Sequence, residues 1–331
     1  KIFFYADVSK SSGYGHFVRI YSLSKQFIKK DIEIIFVINN SSKEILQFIK
    51  KNRIKSISFK LFLLSKIKKS IIIIDSYEVK KKLFNSLIRE NFIVEFNDIP
   101  KNQNFGDIVI NNNLSIKKRI IKINKKIKYL VGSKFIIIRS EILKQKIYKK
   151  KIPKNINIKN IFISFGGFEN KKYIIKILNC INENNTLISK KNINLFINIS
   201  HNKNNILQLF KKNKNINLKF VDNKIFNSFN FKKIDISINA GGITSLEMIY
   251  LKIPQIGLLL SQNQKNNLNF IEKKKFGLLF FYNENNDFKN LFFKLINEYK
   301  IFIKNLNNQK VIDGLGANRL VRSITKIYKN D

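Results

Sequence analysis

Ile238-Asn239-Ala240-Gly241-Gly242-Ile243-Thr244-Ser245-Leu246-Glu247 runs from a short β-rich stretch, through two adjacent glycines, into a spacing suited to a helix. A strand that turns through glycine into a helix is the repeating unit of an open α/β sheet. Backbone can approach a ligand closely there, and the amides at the helix N-terminus favour phosphate. The same grammar recurs upstream. Ile161–Ser164 reads as a strand leading to Gly166-Gly167, and Ile2–Tyr5 as a strand leading to Gly13-Tyr14-Gly15-His16-Phe17-Val18-Arg19. The chain has only twelve glycines in 331 residues, and the pairs Gly13/Gly15, Gly166/Gly167, Gly241/Gly242 and Gly314/Gly316 account for most of them. Survival of such pairs in a composition dominated by the Lys, Ile and Asn of A/T-rich codons points to positions where a side chain is not tolerated.

Short β-rich runs alternate with helical patterns along the whole chain, which predicts parallel strands joined by crossover helices. The first half offers strands at Ile2–Tyr5, Ile34–Ile38, Ile71–Ile74, Ile93–Phe96 and Ile108–Ile110. Between the first two, Phe17, Ile20, Leu23 and Phe27 recur at helical spacing and mark one buried face. The second half restarts the scheme near Ile161–Ser164, Leu195–Ile199, Leu218–Val221, Ile234–Ile238 and Ile256–Leu260. The expected fold is α/β: two Rossmann-like lobes facing a central cleft with a nucleotide between them. Residues 1–148 form the first lobe with the His16 loop, the basic, proline-containing stretch 149–154 a linker, and 155–331 a nucleotide-binding lobe. Asn318 to Tyr328 reads as its terminal amphipathic helix, and Gly314 and Gly316 as a flexible turn before it.

The formal charge of +41 suggests nucleic acid at first sight. Only seven of the 63 basic residues are arginine, however, and the lysines are spread as in Lys80-Lys81-Lys82, Lys149-Lys150-Lys151 and Lys273-Lys274-Lys275, without aromatic interleaving. The charge therefore reads as a solvated surface that would draw in anionic ligands, with no nucleic-acid partner. No apolar run approaches a membrane span, and Lys1-Ile2-Phe3-Phe4-Tyr5 reaches a charge at Asp7 without the apolar core or cleavage site of a secretory signal. A cytoplasmic protein without membrane insertion is expected, numbered from just after an initiator since Met248 is the only methionine. Cys180, alone on an apolar helical stretch, reads as core, and neither metal nor cofactor is expected. The pattern sets no oligomeric state.

Three glycine loops over both halves place the chemistry. In the first, His16 would sit at the opening turn of a helix, whose positive end disfavours imidazolium and keeps a neutral ring able to accept a proton. Arg19, one turn on, could reach phosphate or brace Asp7 or a neighbouring loop. In the third loop the amides of Gly241 and Gly242 and the hydroxyls of Thr244 and Ser245 could hold a diphosphate. Glu247, about one turn inside, could take both hydroxyls of a ribose, or be merely a solvated helix carboxylate. The amide cluster Gln262-Asn263-Gln264 suits phosphate or sugar hydroxyls, or caps the next helix. His201, in an Asn/Lys-rich loop, carries no argument.

The residues in this order resemble the UDP-sugar hydrolases of pseudaminic acid biosynthesis, which act on UDP-2,4-diacetamido-2,4,6-trideoxy-β-L-altropyranose. The resemblance spans nearly the whole chain: the Gly13–Arg19 loop, Asp75 with Tyr77, Asp98 followed by Asp107 and Asn111, and Tyr129-Leu130-Val131-Gly132 through Arg139 as the inter-domain segment. Ser164-Phe165-Gly166-Gly167, Ala240-Gly241-Gly242 with Glu247, Asn263-Gln264 and Asp313-Gly314 complete it. It implies the glycosyltransferase B architecture, shared with the enzyme that adds N-acetylglucosamine to lipid-linked muramyl peptide. It also implies attack of water on the anomeric carbon with inversion and departure of UDP. By the same resemblance His16 is catalytic, Tyr77 and Asn263 lie near sugar and pyrophosphate, and Glu247 takes the ribose, with Gly13, Gly15, Arg19, Gly166, Gly167, Gly241, Gly242, Thr244, Ser245 and Gln264 completing the substrate site. Tyr5, Ser76, Phe168, Glu169, Ile243 and Leu246 depart from the usual pattern. The rival readings are a glycosyltransferase of the same fold, which delivers the sugar to an acceptor, and a non-enzymatic polyanion-binding protein.

Overall fold

Ile71-Ile72-Ile73-Ile74 has no polar residue to turn toward water, so as a strand it needs cover on both faces. It has that cover. β4 (Ile71–Asp75) is buried throughout, as are β1 (Ile2–Ala6) and β5 (Phe92–Phe96). The computed structural model describes residues 1–6, 14–28, 30, 32–39, 43–76, 85–98, 104–115, 126–166, 171–183, 192–199, 203–211, 215–221, 229–281 and 288–330. Among the sequence-marked positions, Asp7, Gly13, Tyr77, Lys80–Lys82, Gly167, Phe168, Glu169 and His201 lie outside the described residues.

The first sheet is parallel throughout, in the order β3 (Ser56–Ser58), β2 (Ile34–Ile38), β1, β4, β5, β6 (Ile108–Asn111), β7 (Lys128–Val131). Its helices are α1 (Gly15–Ile28), α2 (Lys43–Lys51), α3 (Phe59–Leu64) and α4 (Asn85–Glu90). Phe17, Ile20, Leu23 and Phe27 of α1 are all buried, and Phe27 meets Phe4 of β1 with ring centroids 6.1 Å apart. On the opposite face, Phe3 and Tyr5 pack with Val37, Phe62, Ile72, Ile74 and Ile93.

The second sheet repeats the plan: β10 (Ile216–Val221), β9 (Ile193–Asn198), β8 (Asn160–Ser164), β11 (Ile236–Ala240), β12 (Gln255–Leu258), β13 (Gly277–Phe280), again all parallel. α5 (Ser140–Leu143), α6 (Lys171–Glu183), α7 (Lys203–Phe210), α8 (Ile243–Tyr250), α9 (Lys265–Lys273), α10 (Phe288–Asn297) and α11 (Tyr299–Asn307) accompany it. Cys180 is half-buried against the core of this sheet. In both sheets the chain works outward from a central strand and then crosses back to its other side, so the direction of winding reverses between β1 and β4 and between β8 and β11. That reversal is where an open α/β sheet has its natural binding crevice.

The division of the chain differs from the one expected at 149–154. One compact unit is Lys1–Arg139 together with Asp313–Asp331, and the other is Ser140–Ile312. The basic stretch is no linker, because Lys150 is fastened to the second unit. The Asn307 side chain accepts from Lys150 N and donates to Lys150 O, both at 2.8 Å, and Lys150 Nζ donates to Ile234 O at 2.7 Å. Burial in that position pulls the Lys150 ammonium down to about 8 against the opposing charge of Asp235.

The terminal helix α12 (Gly316–Lys329) belongs with the first unit, not with the second lobe. It packs on α1, Tyr328 Oη donates to Lys69 O at 3.0 Å, and Arg319 Nη1 donates to Lys134 O at 3.0 Å. Gly316 is not a flexible turn but the first residue of the helix, seated where a Cβ would lie 2.0 Å from Ile136 O. Gly316→Ala should therefore push the helix off its seat and destabilise the first unit by about 1–3 kcal/mol. A urea denaturation midpoint that does not fall would contradict this seating.

Candidate active site

β1 and β4 are in register to their ends, so Ala6 lies beside Asp75 at the carboxyl edge of the first sheet. The next helix is α1, whose second residue is His16. His16 and Arg19, three apart, share a helix face. The reversal of winding brings that face to the end of β4. His16 Nδ1 lies 2.5 Å from Asp75 Oδ1. Arg19 grips the same carboxylate with two donors, Nε to Oδ2 at 2.7 Å and Nη2 to Oδ1 at 2.6 Å. Its Nη1 reaches Asp98, just beyond β5, at 2.9 Å and Asn112, just beyond β6, at 3.3 Å, while the guanidinium carbon stands 4.7 Å above the Phe96 ring. His16, Arg19 and Asp75 are 6%, 8% and 1% exposed.

Burial decides the electrostatics, because in a low dielectric each charge needs its partner. Burial alone would push Asp75 up, but Arg19 and His16 overcome it and hold the carboxyl well below the usual carboxylate range. Burial also pulls His16 down, and the charge and hydrogen bond of Asp75 outweigh that pull, leaving the imidazole above its ordinary value. This reverses the expectation that the helix end would keep the ring neutral: a full charge at hydrogen-bond distance exceeds the fractional charge of a helix terminus. Asp75 holds a proton on Nδ1, so the neutral ring presents Nε2 as its basic nitrogen. Arg19 Nε, Nη1 and Nη2 bond to Asp75, Asp98 and Asn112, so of the two roles the sequence offered, the structure shows the brace on neighbouring loops.

In the second unit the reversal point holds the other glycine loops. β8 leads to exposed Gly166, whose φ of +66° suits glycine. β11 leads through Gly241 and Gly242 into α8, which starts without a side-chain cap; Gly241 N donates to Leu258 O and Ser245 N to Gly242 O, both at 3.1 Å, so the Gly241 amide is not the phosphate donor expected of it. A Cβ on Gly241 would meet the buried Leu268 side chain at 2.5 Å and one on Gly257 would meet it at 2.2 Å, so glycine at both positions lets α9 lie against the loop. That packing brings Gln264 to Gly242, with Nε2 3.8 Å from where a Cβ would stand. Gln264 Oε1 accepts from Leu260 N, and the Gln262–Gln264 turn provides no side-chain cap for α9, so the capping reading falls. Gly242, Thr244, Asn263 and Gln264 are partly exposed. Ser245 is not: its hydroxyl donates to Gly242 O at 2.8 Å, which shapes the turn from inside. Glu247 is fully buried, which removes the solvated-carboxylate reading. Behind the loop, sequence reading missed a buried polar chain in which Ser237 donates to Asn239, Asn239 to Gln255, and Gln255 to Ser245 O.

Gly15 is exposed at the start of α1. Gly13, Tyr77 and Gly167 lie outside the described residues. Among the described residues no group of three His, Cys, Asp or Glu side chains is placed to hold a metal ion, and no helix is long and apolar enough to cross a membrane.

Solved structures share this architecture over the full chain. MurG of Acinetobacter baumannii aligns over 98% of this chain and 99% of its own, with a TM-score of 0.67 and 11% identity. The spinosyn forosaminyltransferase SpnP aligns over 99% of each chain, with a TM-score of 0.63 and 10% identity. The chain has the glycosyltransferase B fold. A UDP-N-acetylglucosamine 2-epimerase shares that fold at a TM-score of 0.62, over 100% of this chain and 96% of its own with 10% identity. No protein-family profile matches the sequence. An uncharacterized protein of Methanocaldococcus jannaschii, MJ1062, is 29% identical over 285 residues, covering 80% of this chain, which spans only 57% of that relative's length.

Asp75→Asn tests the dyad directly. Without the carboxylate, burial and the Arg19 cation both act against the imidazolium and only Asp98, among the described residues, favours it, so the His16 midpoint followed by NMR titration should drop from above to below about 6.5. A midpoint that stays put would mean that the short contact carries no charge coupling.

Proposed function

We propose that the protein is an enzyme that displaces UDP from the anomeric carbon of a UDP-activated sugar, with His16 as the general base. The observation that carries this reading is the buried His16–Asp75 pair at the reversal point of the first sheet. A carboxylate on Nδ1 orients the ring and stabilises the imidazolium formed when Nε2 takes a proton. The reaction balances in one displacement: a hydroxyl oxygen bonds to C1, its proton passes to Nε2, the C1–O bond to the diphosphate breaks, and configuration inverts. By itself the glycine loop of the second unit suits a diphosphate: Gly242 and the start of α8, with partly exposed Thr244, Asn263 and Gln264, offer donors that would stabilise its charge.

Two nucleophiles suit this chemistry, each favoured by an observation. Transfer to an acceptor hydroxyl is backed by the fold neighbours, among which SpnP is by name a forosaminyltransferase. Attack by water is backed by the ordered motif series of the UDP-sugar hydrolases, and on that reading the sugar is the 2,4-diacetamido-trideoxy-altrose precursor of a nonulosonic acid, made in the cytoplasm. Polyanion binding is backed by net charge alone and explains neither the dyad nor the glycine loops.

The test is release of UDP from UDP-2,4-diacetamido-2,4,6-trideoxy-β-L-altrose and other UDP-sugars, with chelator present, with and without hydroxylic acceptors. UDP and free sugar without acceptor identify the hydrolase, and acceptor-dependent release identifies the transferase. No release from any UDP-sugar would contradict the proposal. His16→Ala should lower turnover by at least about 100-fold while leaving UDP binding intact; wild-type turnover in that variant would remove His16 from the mechanism.

A further inference from the structure

Arg19 lies between two carboxylates. Its Nε–Nη2 edge is on Asp75 and its Nη1 end is on Asp98, whose two oxygens both lie 2.9 Å away. The Asp75 side is crowded, because Oδ1 receives His16 Nδ1 at 2.5 Å and Arg19 Nη2 at 2.6 Å. The ring and the guanidinium therefore compete for one oxygen. We propose that Asp98 is a positioning residue for the reaction: by anchoring and partly neutralising Arg19 it sets how strongly Asp75 holds the His16 ring. The inference rests on the proposed role of His16 and names the residue that tunes it.

Among the described residues, Asp75 at the end of β4, Arg19 on α1 and Asp98 beyond β5 act on the ring. Arg19 disfavours the imidazolium, and the two carboxylates favour it. Asp98 is well fixed for this task. Asn113 Nδ2 donates to its backbone carbonyl at 3.0 Å, and its side chain is largely buried. Removing its charge leaves Asp75 as the carboxylate opposing the Arg19 cation among the described residues. Asp75 then binds the guanidinium more tightly, and His16 gives up its proton at lower pH. The ring becomes a weaker base, although more of it is neutral. Asn112, whose Oδ1 is 3.3 Å from the same Nη1, offers the converse change: an aspartate there adds negative charge on the far side of Arg19.

The experiment follows the ring directly by NMR titration of wild type, Asp98→Asn, Asp98→Glu and Asn112→Asp. The chain has two histidines, His16 and His201, so His16→Ala identifies the signal. Asp98→Asn should move the His16 midpoint to lower pH by roughly one unit, Asn112→Asp should move it to higher pH, and Asp98→Glu should leave it near wild type. The acid limb of kcat/KM for UDP release should follow the same order. A folded Asp98→Asn protein with an unmoved midpoint overturns the proposal. If that variant does not fold, Asn112→Asp decides, and no upward shift overturns it. Midpoints that move as expected while no variant releases UDP would keep the link between Asp98 and His16 and remove the role of His16 as base.

Discussion

One guanidinium holds the first unit's chemistry together. Arg19 is buried with two carboxylates, an asparagine and a phenylalanine ring around it, and the carboxylate it grips most closely is the one that orients His16. Removing one partner from such a buried cluster costs about 3–5 kcal/mol, because the remaining charge stays out of water. The cluster is therefore a poor way to gain stability and a good way to fix geometry. It ties α1 to the ends of β4, β5 and β6, and the winding of the sheet makes those ends converge.

Linkage follows from the same cluster. The folded-state pKa of His16 lies above its unfolded value, so its contribution to stability is complete below about pH 6.5 and is lost as pH rises through the folded value. The proposed role of His16 as general base needs the neutral ring, so on that proposal turnover should rise over the range in which that contribution fades. On the proposed role, stability and catalysis would pull in opposite directions at this one ring.

Much of the fold was legible in the sequence, because parallel strands covered on both faces must be largely apolar along their length, and Ile71–Ile74 or Ile108–Ile110 can be little else. β3, β7 and β13 were not, each for a local reason. Ser56-Ile57-Ser58 is short and polar-flanked, Lys128-Tyr129-Leu130-Val131 was absorbed into an inter-domain segment, and Gly277-Leu278-Leu279-Phe280 lacks β-branched residues. The terminal helix was found but assigned to the wrong unit, since its own amphipathic pattern does not say which core it covers. The site was half legible. Glycine pairs pointed to the reversal points of both sheets, and the first of them to the start of α1 where His16 lies, but the partners of Arg19 lie 56 to 93 residues away along the chain. Only the crossing from β1 to β4 makes them neighbours, so no local pattern could pair them.

The central claim is a single displacement at the anomeric carbon by a nucleophile that His16 deprotonates. The most direct measurement is the anomeric configuration of the first-formed product, read by proton NMR within the first turnovers, before a free sugar can mutarotate. One displacement predicts inversion relative to the UDP-sugar, in free sugar and acceptor glycoside alike. Retention would demand two displacements and a covalent or ion-pair intermediate, and would contradict a mechanism in which the dyad acts only as a base.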